Sequence, residues 1–157
     1  MDNIVLSDLG TVARHGLLPA RTLAAAARAA AAEMGFQGER IGELASNLSG
    51  GNQQKLLLAR WRHSVPRILL ADEPTRGIDI GAKAEIMDAL QAMAAEGLGI
   101  IMVSSDLEEV CAIADRVLVL SEGQPAGVLE RAAGPLTAHD VLQAAFGVRE
   151  PAGAARS

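Results

Sequence analysis

The chain has 157 residues, half of them apolar and 21% charged, which is the balance of a globular protein and excludes disordered and fibrous classes. Its 14 Lys and Arg against 19 Asp and Glu leave a net charge of -5 with no basic block, so no nucleic-acid partner is expected. The single Cys111 has no second Cys or His at ligand spacing, and no apolar run approaches the roughly 20 residues of a membrane helix, so a disulfide framework, a zinc site and a membrane span all lack support. Aromatics make up only 2%, so any core is built from Ala and aliphatic side chains. Met1-Asp2-Asn3 carries no positive segment ahead of an apolar one, and the expected location is the cytoplasm.

In chain order, a short helical stretch is expected around Ile4 to His15. Pro19 to Met34, nearly all Ala, Leu and Arg, predicts a helix closed by Gly35. Gly38 to Asn47 reads as a loop with one brief turn, and no strand is expected before residue 48. From there helix and strand alternate as in half of a parallel α/β sheet. Ser49 can cap a helix to about His63, and Pro66 interrupts. Arg67 to Ala71 and Gly99 to Val103 are apolar runs of buried-strand type. Between them a helix from about Gly81 to Glu96 would place Ile86, Leu90 and Met93 on one face and end at Gly97. Ser105 and Glu108 have capping-box spacing for a short helix through Ile113. Arg116 to Ser121, the Glu122-Gly123 turn and Gln124 to Leu129 predict a hairpin, and Thr137 can cap a last helix through Phe146. The tail, 148–157, is expected to be disordered.

Two motifs carry chemistry. Leu48-Ser49-Gly50-Gly51-Asn52-Gln53-Gln54-Lys55 puts a hydroxyl and two residues without side chains at a helix start, where unpaired N–H groups and a partial positive charge suit a phosphate. Ile68-Leu69-Leu70-Ala71-Asp72-Glu73-Pro74 delivers adjacent carboxylates at the end of an apolar strand. There the first acid can hold magnesium and the second can polarise an attacking water. Alone, either could be bland: a plain helix cap, or an exposed acidic loop. His15, His63 and His139 sit in no motif and are read as surface or packing residues.

Taken together, Leu48 to Gln53 resembles the signature motif of ABC transporter ATP-binding subunits, Ile68 to Glu73 their Walker B strand, and Thr75 to Asp79 their D-loop. Leu48 to Lys83 is similar to the second nucleotide-binding half of the ribose, xylose, arabinose and galactose importers, and the resemblance extends over about residues 2–147. It implies a partial P-loop NTPase fold in the α/β class, the C-terminal half of a mainly parallel sheet with flanking helices. The implied segments are a helical subdomain over 1–64, the α/β part over 65–147 and the tail. Implied roles are catalysis by Glu73, Mg2+ at Asp72, and ATP contacts by Ser49, Gly50, Gly51, Gln53, Asp79 and Ser105. Ser104-Ser105-Asp106 stands where most of the family has Thr-His-Asp, and a hydroxyl lacks the reach and charge of the imidazole that contacts the γ-phosphate there. Implied partners are a transmembrane permease, a P-loop-bearing nucleotide-binding domain and, indirectly, a periplasmic sugar-binding protein, with the chain peripheral on the inner membrane face.

No G-x-x-x-x-G-K-[ST] string occurs in the chain. If the absent Lys and loop amides account for four charge-assisted bonds of roughly 1.5 kcal/mol each, ATP binding is weaker by about 6 kcal/mol, roughly four decades. The expectation is therefore a fragment, inactive alone, that exposes apolar sheet surface. The alternative is a non-catalytic module supplying its signature turn to a separate P-loop protein. An ABC ATPase of translation or DNA repair fits the Gly51-to-Lys55 and Thr75-to-Asp79 segments less well.

Overall fold

The computed structural model describes residues 2–10, 12–13, 17–36, 42–64 and 66–147. The chain divides into two compact units, Met1–Val103 and Ser104–Ser157.

The first unit begins with three helices that pack on one another: α1 (Asp2–Val5), α2 (Ala20–Glu33) and α3 (Gly50–His63). Buried Ala27, Ala30 and Ala31 form one stripe on α2, which lets a neighbouring helix approach closely. Pro19 occupies the N-cap position of α2, and Gly35, with φ 64°, follows its last turn. The helix expected around Ile4 to His15 is shorter than its composition implies. It ends at Val5 because the Ser7 hydroxyl donates to the Ile4 carbonyl at 3.2 Å and the Arg60 carbonyl at 2.7 Å, turning the chain across α3. Residues 11 and 14–16 lie outside the described residues, as do 37–41; Ala45–Asn47 forms the brief turn, a 3-10 helix.

Strand β1 (Ile68–Asp72) pairs in parallel with β2 (Gly99–Val103), from Ile68 opposite Gly99 to Asp72 opposite Val103. Helix α4 (Ile80–Ala95) connects them and buries Ile86, Leu90 and Met93, as their spacing predicts. Gly97, at φ 99°, turns the chain from helix to strand. The two strands, expected to be buried, are not: only Leu69 is buried, and Ile68, Leu70, Ile101 and Val103 are exposed. Pairing in register puts these four side chains and Asp72 on one face, and α4 lies against the other. A sheet of two strands covered by one layer has an open apolar face. At the far end of α3 the Arg62 guanidinium donates to Glu33 (Nε to Oε2, 2.7 Å) and also pairs with Glu96, tying α2, α3 and the end of α4 together. The hydrogen bond to Glu33, foremost, raises the pKa of Arg62 further above its already high value. His63 plays a packing role, its Nε2 donating to the Asp8 carbonyl at 3.1 Å.

In the second unit, α5 (Leu107–Ile113) precedes the antiparallel hairpin of β3 (Arg116–Ser121) and β4 (Gln124–Glu130), and α6 (Ala138–Phe146) packs on the hairpin. The turn uses Glu122 at φ 51° and Gly123 at φ 76°, the pair of left-handed conformations of a two-residue hairpin loop. Thr137 caps α6 by accepting from the Asp140 N–H at 3.2 Å. Cys111, Val117, Val119 and Val141 form the core. Residues 148–157 lie outside the described residues.

Candidate functional site

The turn that opens α3 is built from both sides. Leu48 is buried and anchors it, and Ser49 takes the N-cap position in extended conformation (φ -61°, ψ 157°). Ser49 was expected to cap the helix with its hydroxyl, yet that side chain makes no cap bond. Gln53 closes the turn instead: its Nε2 donates to the Leu48 carbonyl at 2.9 Å, while its N–H donates to the Ser49 carbonyl at 2.9 Å. The Gln53 amide is thus spent on the backbone, while Ser49 is exposed with its hydroxyl unused by the cap, and the first N–H groups of a 14-residue helix have no intrahelical acceptor. The arrangement can accept an anion.

Asp72 ends β1 and is exposed on the open face of the sheet. Glu73 continues the ladder by one bond, its N–H donating to the Val103 carbonyl at 2.8 Å, and then turns with φ 46°. A left-handed non-glycine residue costs on the order of 1–3 kcal/mol, and such strain clusters at functional positions. The turn is held on both sides, because Pro74 and Thr75 are buried and the Arg76 N–H donates to the Glu73 carbonyl at 3.1 Å. Neighbouring carboxylates are therefore presented rigidly, the second re-aimed by its own backbone.

Thr75 to Asp79 leads directly into α4, where Asp79 is the N-cap and its Oδ1 accepts from the Ala82 N–H at 2.9 Å. Asp79, singled out for a nucleotide, is engaged in holding its own helix. The structure brings this loop against the signature turn. A Cβ placed on Gly50 would lie 3.3 Å from Ile78 Cγ2 and 3.5 Å from the Gly77 carbonyl oxygen, and one on Gly51 would overlap the Cβ of Ala82. Gly51 is buried while Gly50 is exposed, so the two glycines face different surroundings. One helical turn further on, Lys55 Nζ pairs with Glu85 Oε2 at 2.5 Å.

Ser105 lies in the second unit and is exposed. It does not cap the following helix: Asp106 does, with Oδ1 accepting from the Glu108 and Glu109 N–H groups at 3.2 and 3.3 Å. The helix starts one residue later than capping-box spacing implies because a carboxylate outcompetes a hydroxyl for those donors. The residues that sequence reasoning passed over are Ala82 and Glu85. Their only visible signal is a small residue and an acid on one face of a helix, which does not identify the helix they meet.

The family model for ABC transporters matches residues 5–76, from α1 through the acidic strand end to Arg76. The ribose import ATP-binding protein of Streptomyces avermitilis is 44% identical over 145 residues, 92% of this chain and 28% of the relative. The chain belongs to the ABC transporter ATP-binding family. The ribose import ATP-binding protein of Lactococcus lactis is 40% identical over 146 residues, 93% of this chain and 29% of the relative. The chain thus spans less than a third of the length of these curated relatives. Among solved structures, an ATP-binding cassette of an ABC transporter superposes with TM-score 0.71 at 18% identity, over 91% of this chain and 60% of that one. A bacterial ABC transporter cassette solved as a dimer gives TM-score 0.64 at 23% identity, over 74% of this chain and 50% of that one. The fold is that of an ABC ATPase cassette in part, with the α/β class and flanking helices expected of it. Among the described residues no helix is long and apolar enough to cross a membrane.

Proposed function

We propose that this chain is the signature-bearing and acid-bearing part of the ATPase that drives a monosaccharide importer, and that it acts on ATP held by a P-loop lying outside its 157 residues. The observation that carries the proposal is the turn at Ser49–Gly51: a long helix whose first N–H groups have no intrahelical acceptor, opened by exposed Ser49 and Gly50, with the Ser49 hydroxyl unused by the cap. Identity of 40–44% to proteins named for ribose import supports the sugar class.

In this mechanism Ser49 Oγ and the N–H groups of Gly50 and Gly51 donate to the γ-phosphate, and their partial positive charge opposes the negative charge that builds up on transfer. Gln53 keeps that turn closed. Glu73 accepts a proton from the attacking water, aimed by its left-handed backbone. Asp79 fixes the loop. Magnesium fits the donors present: Asp72 is an exposed carboxylate at the end of β1, and Mg2+ binds through one or two carboxylates, phosphate oxygens and water. Asp72 would hold it, and the ion when bound would neutralise phosphate charge. A transmembrane permease, a sugar-binding protein and a position against the inner membrane face belong to the same proposal.

The test is association of the purified chain with the full-length S. avermitilis relative as P-loop donor, with and without Mg-ATP, alongside binding of a fluorescent ATP analogue to the chain alone. The proposal expects ATP-dependent association and no micromolar binding by the chain alone. Saturable micromolar binding or ATP turnover by the chain alone overturns the division of labour, and absence of ATP-dependent association overturns the capping role.

A further inference from the structure

The glycine that the motif offers to a phosphate has a second neighbour inside the protein. Gly51 is buried, and any side chain on it would occupy the space of the Ala82 methyl group, with the Ala82 Cα only 3.8 Å from the same Cβ position. Ala82 is also the residue whose N–H binds the Asp79 carboxylate. One residue therefore touches the signature turn through its methyl group and the Thr75–Asp79 loop through its amide. Four residues along α3 and three along α4, on the same two faces, Lys55 and Glu85 form an ion pair. The Lys55 side chain is only 12% exposed and that of Glu85 59%, so the contact is shielded from solvent on the lysine side alone.

We infer that Gly51 and Ala82, backed by Lys55 and Glu85, are positioning residues that hold the signature turn and the Thr75–Asp79 loop in one register, so that the two meet a nucleotide site as a single surface. The absence of a side chain at Gly51 serves this helix-to-helix approach, while at Gly50, which is exposed, it lets Ile78 and the Gly77 carbonyl of the loop come close to the turn. A methyl group at Gly51 pushes α3 from α4 by a substantial part of an ångström, which displaces the Ser49 hydroxyl and first-turn amides from Asp79 and its loop. Misplacement on that scale at a remote contact is enough to cost about 10- to 100-fold in a reaction that depends on positioning. This inference rests on the capping role proposed above.

The test measures the ATP concentration giving half-maximal association of the chain with the full-length relative, for the unsubstituted chain, Gly51→Ala, Ala82→Gly and the double variant, each with a melting curve. The expected result is that Gly51→Ala raises that concentration about tenfold or more and that adding Ala82→Gly restores it to within about threefold. Because the clash that Gly51→Ala introduces also threatens folding, Lys55→Glu, Glu85→Lys and the exchanged pair provide a second series. Each single reversal is expected to raise the concentration about threefold or more and the exchanged pair to recover it. Equal association by Gly51→Ala and the unsubstituted chain, failure of both paired variants to restore it, or losses that merely follow the unfolded fraction overturn the positioning role. No ATP-dependent association by the unsubstituted chain overturns the capping role on which the inference rests, a failure distinct from the others.

Discussion

Replacing Arg131 by Met keeps the aliphatic stem and deletes a fork of donors that closes the end of α5. Nη2 donates to the Cys111 carbonyl at 2.6 Å and the Ala112 carbonyl at 3.1 Å, and Nε donates to the Ala114 carbonyl at 3.0 Å. The bond to Cys111 is part-buried, and losing it leaves a carbonyl short of a partner at about 1–1.5 kcal/mol. Water replaces the two exposed bonds at little net cost, while removing a cation from a helix C-terminus adds about 0.5 kcal/mol. The sum is about 2 kcal/mol, or a melting temperature about 4–8 °C lower for a chain of this size. Urea unfolding followed by far-ultraviolet circular dichroism measures it. Arg131→Lys retains the charge but not the fork, so it should lose about half as much. A Met variant within about 0.5 kcal/mol of the parent, or a Lys variant equal to Arg, would refute the assignment of the effect to fork geometry.

Three further outcomes follow from the same structure. Glu73→Gln is expected to lower ATP turnover of the P-loop-completed assembly by about 100-fold or more while leaving ATP-dependent association intact, and Glu73→Gly should lose turnover equally yet gain about 1 kcal/mol of stability by releasing the left-handed strain; paired ATPase and unfolding assays separate the two effects. Glu122→Asn should stabilise the hairpin by about 0.5 kcal/mol, because Asn tolerates the φ of 51° better than Glu, and no gain in urea midpoint would count against that turn geometry. Burial raises the Cys111 thiol above its ordinary value near 9, against a smaller lowering by Arg131, so the folded state holds its proton more tightly than the unfolded chain. That contribution to stability is complete below about pH 9 and is lost as pH rises through the folded value, a decline that Cys111→Ala should remove from a pH series of urea midpoints.

Elements whose cause is local were legible in the sequence. The 3.6-residue spacing of Ile86, Leu90 and Met93, the turn pair Glu122-Gly123 and the Thr137 cap each act over a few residues, and the structure keeps all of them. Local signals also misled where two adjacent groups compete. Ser105 and Asp106 both suit an N-cap, and only the geometry decides in favour of the carboxylate. The interactions that fix the tertiary structure connect residues far apart in the chain. Arg131 reaches back 20 residues to the Cys111 carbonyl, and Arg62 reaches Glu33 across 29. The contact of Gly51 with Ala82 is of the same kind, and no periodicity within α3 or α4 identifies the opposing helix.

Exposure of the strands is another non-local property, and it bears on the acids. The alternation of a strand says which side chains share a face, here Ile68, Leu70, Ile101 and Val103 with Asp72, but not whether a second layer covers it. With the face open, Asp72 is hydrated and its interactions are those of a charge near water. Coulombic interaction near a protein surface corresponds to an effective dielectric constant of about 20, against about 80 in bulk water, so any surface laid over the apolar row strengthens the hold of Asp72 on a cation several-fold. The same covering removes hydrated apolar area, which favours association, and charges Asp72 a desolvation penalty unless a cation arrives with it. Covering the row and placing a cation at Asp72 are therefore thermodynamically linked. Each favours the other, and magnesium-nucleotide should strengthen assembly on this face more than it strengthens assembly of an Asp72→Asn variant.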